Sequence, residues 1–309
     1  LNPGYPKNRF FSEPADLKSL IDPMKYSILI ICLLSFLHFS CQKSNLTNQA
    51  ENLPAVKKQR PVSVELGKIF EKDGTKYLYG GEDENQHFNI TNCSLRDQQY
   101  HYGIGRERFS ALLQPEFISL NEADSIFTDE DRFLLLKIAN TSRAYSIKDL
   151  THHEVINDEV EGQKVMAAYC ILADLGAVYD RNYYDRDFTF ALSGYTYFDP
   201  SVWDGMDGFV MWDRETESLW WPLIGKAVSG PMKGTKMKVL DEKYWAQTTW
   251  SEIKRSHPNV DVLKPGQDFE RPSSWKKYTD IEQHVKSDPE SQKSISPRWG
   301  ENKKIEKNK

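Results

Sequence analysis

Thiol, imidazole and carboxylate side chains concentrate in one stretch of this 309-residue chain, running from His152 to Arg181 and holding His152, His153, Glu154, Asp158, Cys170 and Asp174. Such groups can ligate a soft or borderline metal such as copper or zinc. They can also activate a sulfur nucleophile, provided a cation or metal lowers the thiol from its ordinary pKa of roughly 8.5. The candidate catalytic set is therefore Cys170, His153 and Glu154, and the candidate metal ligands are Cys170, His152 and His153. The competing reading is an inert buried thiol beside a core histidine. Asn157, Asp158 and Gly162 are turn-forming residues, and the apolar run Val165 to Leu172 follows them. That order predicts a hairpin or short crossover returning Cys170 toward the His-His-Glu group. If that group is a strand, His152 and Glu154 share one face and His153 takes the other, so all three cannot meet the sulfur.

The elements that must position these groups read as short strands. Val62 to Ile69, Phe133 to Ala139, Arg143 to Ile147, Arg186 to Leu192, Gly208 to Trp212, Ser218 to Leu223 and Lys236 to Leu240 are strand candidates. Ser193-Gly194 is expected to end one of them, and Asp213 to Thr216 to turn between two others. Asn121 is expected to cap a short helix, with Asp124 at the capping-box position. Asp241 to His257 places Trp245, Thr249, Trp250 and Ile253 at helical spacing before Pro258, which predicts a carboxy-terminal helix. The fold class expected is α+β, a mostly antiparallel β core with that helix and few short ones.

Residues 1–23 read as an upstream extension, and Met24 as the start of a signal peptide over 24–41. Ile28 to Phe39 is an apolar run too short to cross a bilayer, which needs roughly twenty such residues. The run ends in Leu37-His38-Phe39-Ser40-Cys41, similar to a bacterial lipobox whose cysteine carries the diacylglycerol, with His38 atypical. Residues 42–62 are polar and suit a flexible tether, 63–262 a single β-rich domain, and 263–309 a polar, largely disordered tail. A lipid anchor on Cys41 predicts membrane attachment at the bacterial cell envelope, on the periplasmic or surface side and on the outer membrane. Net charge of -5 gives no basic field for phosphate backbones, so nucleic acid is not an expected partner. No glycine fingerprint of a Rossmann or P-loop site follows a predicted strand, Ser193-Gly194 lacks the serine-hydrolase elbow, and no Cys-x-x-Cys pair marks a closed zinc site. Cys93 and Cys170 remain for the folded part, free or disulfide-bonded.

Several ordered motifs carry a family resemblance: His153-Glu154-x-x-Asn157-Asp158, Tyr169-Cys170, Asp180-Arg181, Ser193-Gly194, Asp213-Arg214-x-Thr216-x-Ser218-x-Trp220, and Gly225 to Gly230. Over about Phe88 to Leu263 the chain resembles the bacterial and archaeal domain of unknown function 3179. The resemblance singles out Asp158, Asp180, Arg181, Ser193, Asp213 and Trp220 as binding candidates. Many members are similar to Y-C-P-L-C-G at the cysteine, whereas here Ala173 stands in place of the second thiol. A dithiol mechanism is therefore not expected, while one needing Cys170 alone survives. Asp180-Arg181 and Asp213-Arg214 could equally be solvated pairs beside turns. Trp203, Trp212, Trp220, Trp221, Trp245 and Trp250 fall close together, as core or as an exposed stacking face for glycan or an envelope protein. Two functions stay open: a Cys/His-centred metal or single-thiol redox site, and a non-catalytic envelope binding or scaffold protein.

Overall fold

The strand Gln163–Cys170 is a nearly unbroken apolar run, and a strand of that kind is stable only with both faces covered. It forms a hairpin with Val155–Val160, paired from Val155 opposite Ala168 to Val160 opposite Gln163. The connecting residues Glu161 and Gly162 both have positive φ (51° and 78°), the two-residue turn whose twist matches that of paired strands. Asn157 and Asp158, expected at the turn, lie inside the strand instead. The computed structural model describes residues 65–203, 205, 207–268 and 274–293. The upstream extension, signal segment, Cys41 and the tether lie outside the described residues.

This hairpin is the middle of a five-stranded sheet ordered Lys238–Val239, Leu175–Asp180, Gln163–Cys170, Val155–Val160 and Leu112–Leu113. Side chains alternate along it. Val155, Met166, Ala168, Cys170 and Tyr179 pack against a six-stranded antiparallel sheet built on Phe190–Tyr197 and Gly208–Asp213. Ile156, Val165, Ala167, Tyr169 and Val178 face the other way, toward a second five-stranded sheet containing Arg132–Ile138 and Thr141–Ser146. The far face of that sheet, with Phe133, Leu135, Ala144 and Val262, is closed by Trp250 and Ile253 of the helix Trp250–Ser256. Three β layers and a helical cover result. The mostly antiparallel α+β class holds, and the parallel pairs are two short ones, Val155–Val160 with Leu112–Leu113 and Asp261–Leu263 with Thr141–Ser146.

Several boundaries differ from the sequence reading. The expected helix over 241–257 is a strand, Trp245–Thr249, followed by the shorter helix Trp250–Ser256, because Trp245 to Thr249 pairs with Arg132 to Leu136. The small helix Leu120–Ala123 is capped by Ser119 with Glu122 reaching back, two residues upstream of the Asn121 and Asp124 box. Beyond Leu263, part of the expected tail is folded: Tyr278, with Ile281 and Val285 of the helix Ile281–Ser287, enters the same core as Trp220 and Trp221.

Ser193-Gly194 does not end a strand. It is a bulge within Phe190–Tyr197, where the register with Gly208–Asp213 shifts between Leu192 and Tyr195. Ser193 Oγ donates to the Val210 carbonyl at 2.6 Å and accepts from Tyr195 N–H at 3.2 Å. The Gly194 carbonyl accepts from Gly103 and Ile104 N–H, and its φ is +80°. A Cβ there would lie 2.0 Å from the Gly105 carbonyl oxygen. Gly194→Ala is therefore expected to cost about 2–4 kcal/mol, against about 1 kcal/mol for Gly74→Ala, where space is open. Urea melts of the two variants check this, and equal midpoints would contradict it.

Candidate functional site

His152 and His153 are not on a strand. Ser146 Oγ accepts from Asp149 N–H and starts a helix, Ile147–His153, which ends at Glu154 in a left-handed conformation (φ 54°). The parity argument therefore does not apply, and the helix separates the two imidazoles. His152 is exposed, and its Nδ1–H donates to the Lys148 carbonyl at 2.9 Å. His153 is buried, and its Nδ1–H donates to the Ser110 carbonyl at 2.7 Å. Neither bond involves the thiol. The structure does not gather Cys170, His152 and His153 as a metal-ligating group, and no group of three or more His, Cys, Asp or Glu able to hold a metal occurs among the described residues.

Cys170 ends its strand almost fully buried, 4.0 Å from the Asp207 carbonyl oxygen toward which its S–H points. Burial pushes the thiol up to about 11; the charge of Glu154 adds to the shift, and backbone N–H groups of Phe209, Ala173 and Leu172 offset part of it. The group is a protonated thiol at neutral pH. Cys93 is also free, so the two cysteines form no disulfide, and its Sγ lies 3.2 Å from Tyr100 Oη.

Glu154 is 6% exposed, and burial alone raises its carboxyl to about 7. Its charge raises the thiol of Cys170 further. The imidazole adjoining this region is a different one. His101, on Tyr100–Tyr102, is bonded through Nδ1 to Asp207 Oδ2, which also accepts from Thr196 Oγ1 at 2.9 Å. His101, Thr196 and Phe209 are cross-strand partners and so share one face of the outer sheet. No spacing signal joins His101 to Asp207, because 106 residues separate them.

The remaining motif residues serve the fold. Arg181 does not pair with Asp180; its guanidinium donates to the carbonyls of Val165, Phe188 and Asp158 at 2.9–3.2 Å, tying together three segments. Asp180 accepts from Asn182 N–H. Asp158 accepts from Tyr145 Oη at 2.8 Å and Glu159 N–H at 2.7 Å. Asp213 does not pair with Arg214: it accepts from Thr216 N–H, Thr216 Oγ1 and Trp220 Nε1, closing the turn between two strands. Arg214 is wholly buried and paired with Glu107 at 2.6 Å, under the ring of Trp275. Asp213 and Arg214 are interior, whereas Asp180 and Arg181 are half-buried. Trp212, Trp220, Trp221 and Trp250 are core, so they form no exposed stacking face.

The family described as "Protein of unknown function (DUF3179)" matches residues 106–307. The chain belongs to this family. The match begins at Arg106 and runs past Leu263 through the folded helix Ile281–Ser287. No curated protein and no solved structure matches the chain. Within the DUF3179 match, Asp213 and Trp220 are bonded across a turn between two strands, and Arg181 ties three segments together.

Beside Cys170 lies a cavity of about 190 Å³. Ala168, Cys170 and Ala177 of the central sheet form one wall, and Phe209 and Leu223 belong to the wall opposite. Trp203 and Trp245, both half-buried, also line it.

Three buried carboxyls give a test of this electrostatic picture. Burial holds Glu154 and Glu215 at about 7 and Asp213 at about 6, all above their unfolded values. The folded state then binds more protons, so the stability these groups favour is fully present near pH 4 and is lost as pH rises through 6 and 7. Glu154→Gln removes one of the three titrations. At pH 8 it is expected to be more stable than wild type by roughly 2–3 kcal/mol, with the difference shrinking toward pH 5. Denaturant melts across pH 5–8 check this, and a pH-independent difference would contradict it.

Proposed function

We propose that the protein is a bacterial envelope lipoprotein, anchored through Cys41, whose domain binds a small ligand in the cavity beside Cys170 and performs no chemistry on it. The observation that carries this reading is the cavity itself: walled mostly by apolar side chains, about 190 Å³ in volume, with its one thiol held protonated. An apolar cavity of about 150 Å³ admits benzene, so this one suits a group of six to eight heavy atoms. Of the polar side chains that could have pointed to catalysis, His152, His153, Asp158, Ser193 and Asp213 are engaged in structural bonds, and Glu154 is a buried carboxyl beside the strand that carries the thiol. Among the described residues, no group of three or more metal-ligating side chains supports a metal centre on Cys170, and its thiol is pushed up by burial rather than lowered by a cation. The glycan-binding version of the reading loses the four core tryptophans and keeps Trp203 and Trp245.

Methyl-resolved NMR with benzene- and phenol-sized fragments tests the binding site. Shifts are expected at the methyls of Ala168, Ala177, Leu223 and Val239 and are expected to vanish in Ala177→Leu, which fills the space. Fragments that shift other methyls only, or bind Ala177→Leu as well as wild type, would contradict the assignment.

The anchor is tested separately. Produced in a bacterium from Met24, the protein is expected to enter the detergent phase and to carry a diacylglycerol mass on the Cys41 peptide, whereas Cys41→Ser stays in the aqueous phase. An unmodified Cys41, or a chain cleaved elsewhere, would refute lipidation.

A further inference from the structure

The composition of the cavity wall specifies more than apolarity. Four aromatic rings line it: Tyr179 from the central sheet, Phe209 from the outer sheet, Trp203 from the connecting loop, and Trp245 from the strand Trp245–Thr249. The indole N–H of Trp245 is already donated to the Leu240 carbonyl at 2.8 Å. Glu242 is the one charged side chain among the lining residues; no lysine, arginine or histidine is among them. Glu242 is exposed and makes no ion pair among the described residues, while its neighbour Lys243 is turned to Asp241 at 3.6 Å.

Aromatic faces carry negative electrostatic potential and attract a cation that gives up little hydration on entering. A primary ammonium is strongly hydrated and needs several hydrogen-bond acceptors, and among the lining side chains the carboxylate of Glu242 and the hydroxyl of Tyr179 are the acceptors, in walls that are otherwise mostly apolar. A quaternary ammonium spreads its charge over methyl groups, needs no hydrogen bonds, and is of a size with the space available. Resting on the binding reading above, we propose that the cavity is an aromatic cage for a quaternary ammonium group, with Glu242 supplying the counter-charge at its rim. The group can belong to a free small molecule or to a phosphocholine lipid headgroup; the chemistry recognised is the same.

The test titrates the full chain with tetramethylammonium, with choline, and with 3,3-dimethylbutan-1-ol, the neutral isostere of choline. Choline is expected to bind at least about tenfold more tightly than the isostere. Glu242→Gln is expected to weaken choline about three- to tenfold while leaving the isostere unchanged. Trp203→Leu is expected to weaken choline about tenfold, and Glu242→Gln keeps the test decisive if that variant folds poorly. Binding to phosphatidylcholine vesicles but not phosphatidylglycerol vesicles, with no response to free choline, supports the headgroup form; a response to free choline supports the soluble form. An isostere that binds as tightly as choline would overturn the cage and leave the binding cavity standing. Cavity binding of benzene-sized fragments without any quaternary ammonium would do the same. No binding of any kind would overturn both.

Discussion

Covering the central sheet on both faces is the constraint on which this structure depends. Val155–Val160 and Gln163–Cys170 are buried toward the outer sheet and toward the second five-stranded sheet alike. Water cannot reach the polar groups of such a layer, and an unmade interior hydrogen bond costs about 1–3 kcal/mol. Each buried polar side chain in it must therefore find a partner in the adjoining layer. Asn157 does so through a reciprocal pair with the backbone of Phe190, at 2.9 Å each way, which clips the central sheet to the outer one. Asp158, one residue on and facing oppositely, meets Tyr145 of the second sheet. Arg181 fixes the corner between them.

The same burial settles the chemistry of the sulfur. Cys170 lies at the end of the doubly covered strand, where low polarity favours the neutral thiol and the nearby Glu154 opposes any negative charge upon it. Helix Ile147–His153 ends beside it, and both of its terminal imidazoles are bonded through Nδ1 to backbone carbonyls rather than to the sulfur. What remains available is shape. The layers part enough at that end to leave a cavity with aromatic walls.

Much of the architecture was legible because strands announce themselves by length and alternation. The hairpin returning Cys170, the antiparallel pairing and most strand positions could be read from single segments. The helix misread over Trp245 to Thr249 shows the limit, since three apolar residues spaced for a helix also fit a half-buried strand when a partner is waiting. Helix Ile147–His153 was missed for a related reason: its signal is the Ser146 cap, and its histidines invited a chemical reading. The long-range pairs were beyond reach. Glu107 with Arg214, and His101 with Asp207, are each joined by the stacking of layers, which no local pattern encodes. Likewise the motif residues from Asp213 to Trp220 looked like a site because polar side chains at fixed spacing serve a tight turn as well as a ligand.

The most direct measurement is the titration of the Cys170 thiol, followed by its alkylation rate against pH in Cys93→Ser protein lacking the signal segment. The account predicts a thiol that stays unreactive through pH 9 and titrates near 11. A thiolate present at pH 7 would contradict it and return the sulfur to the centre of the chemistry.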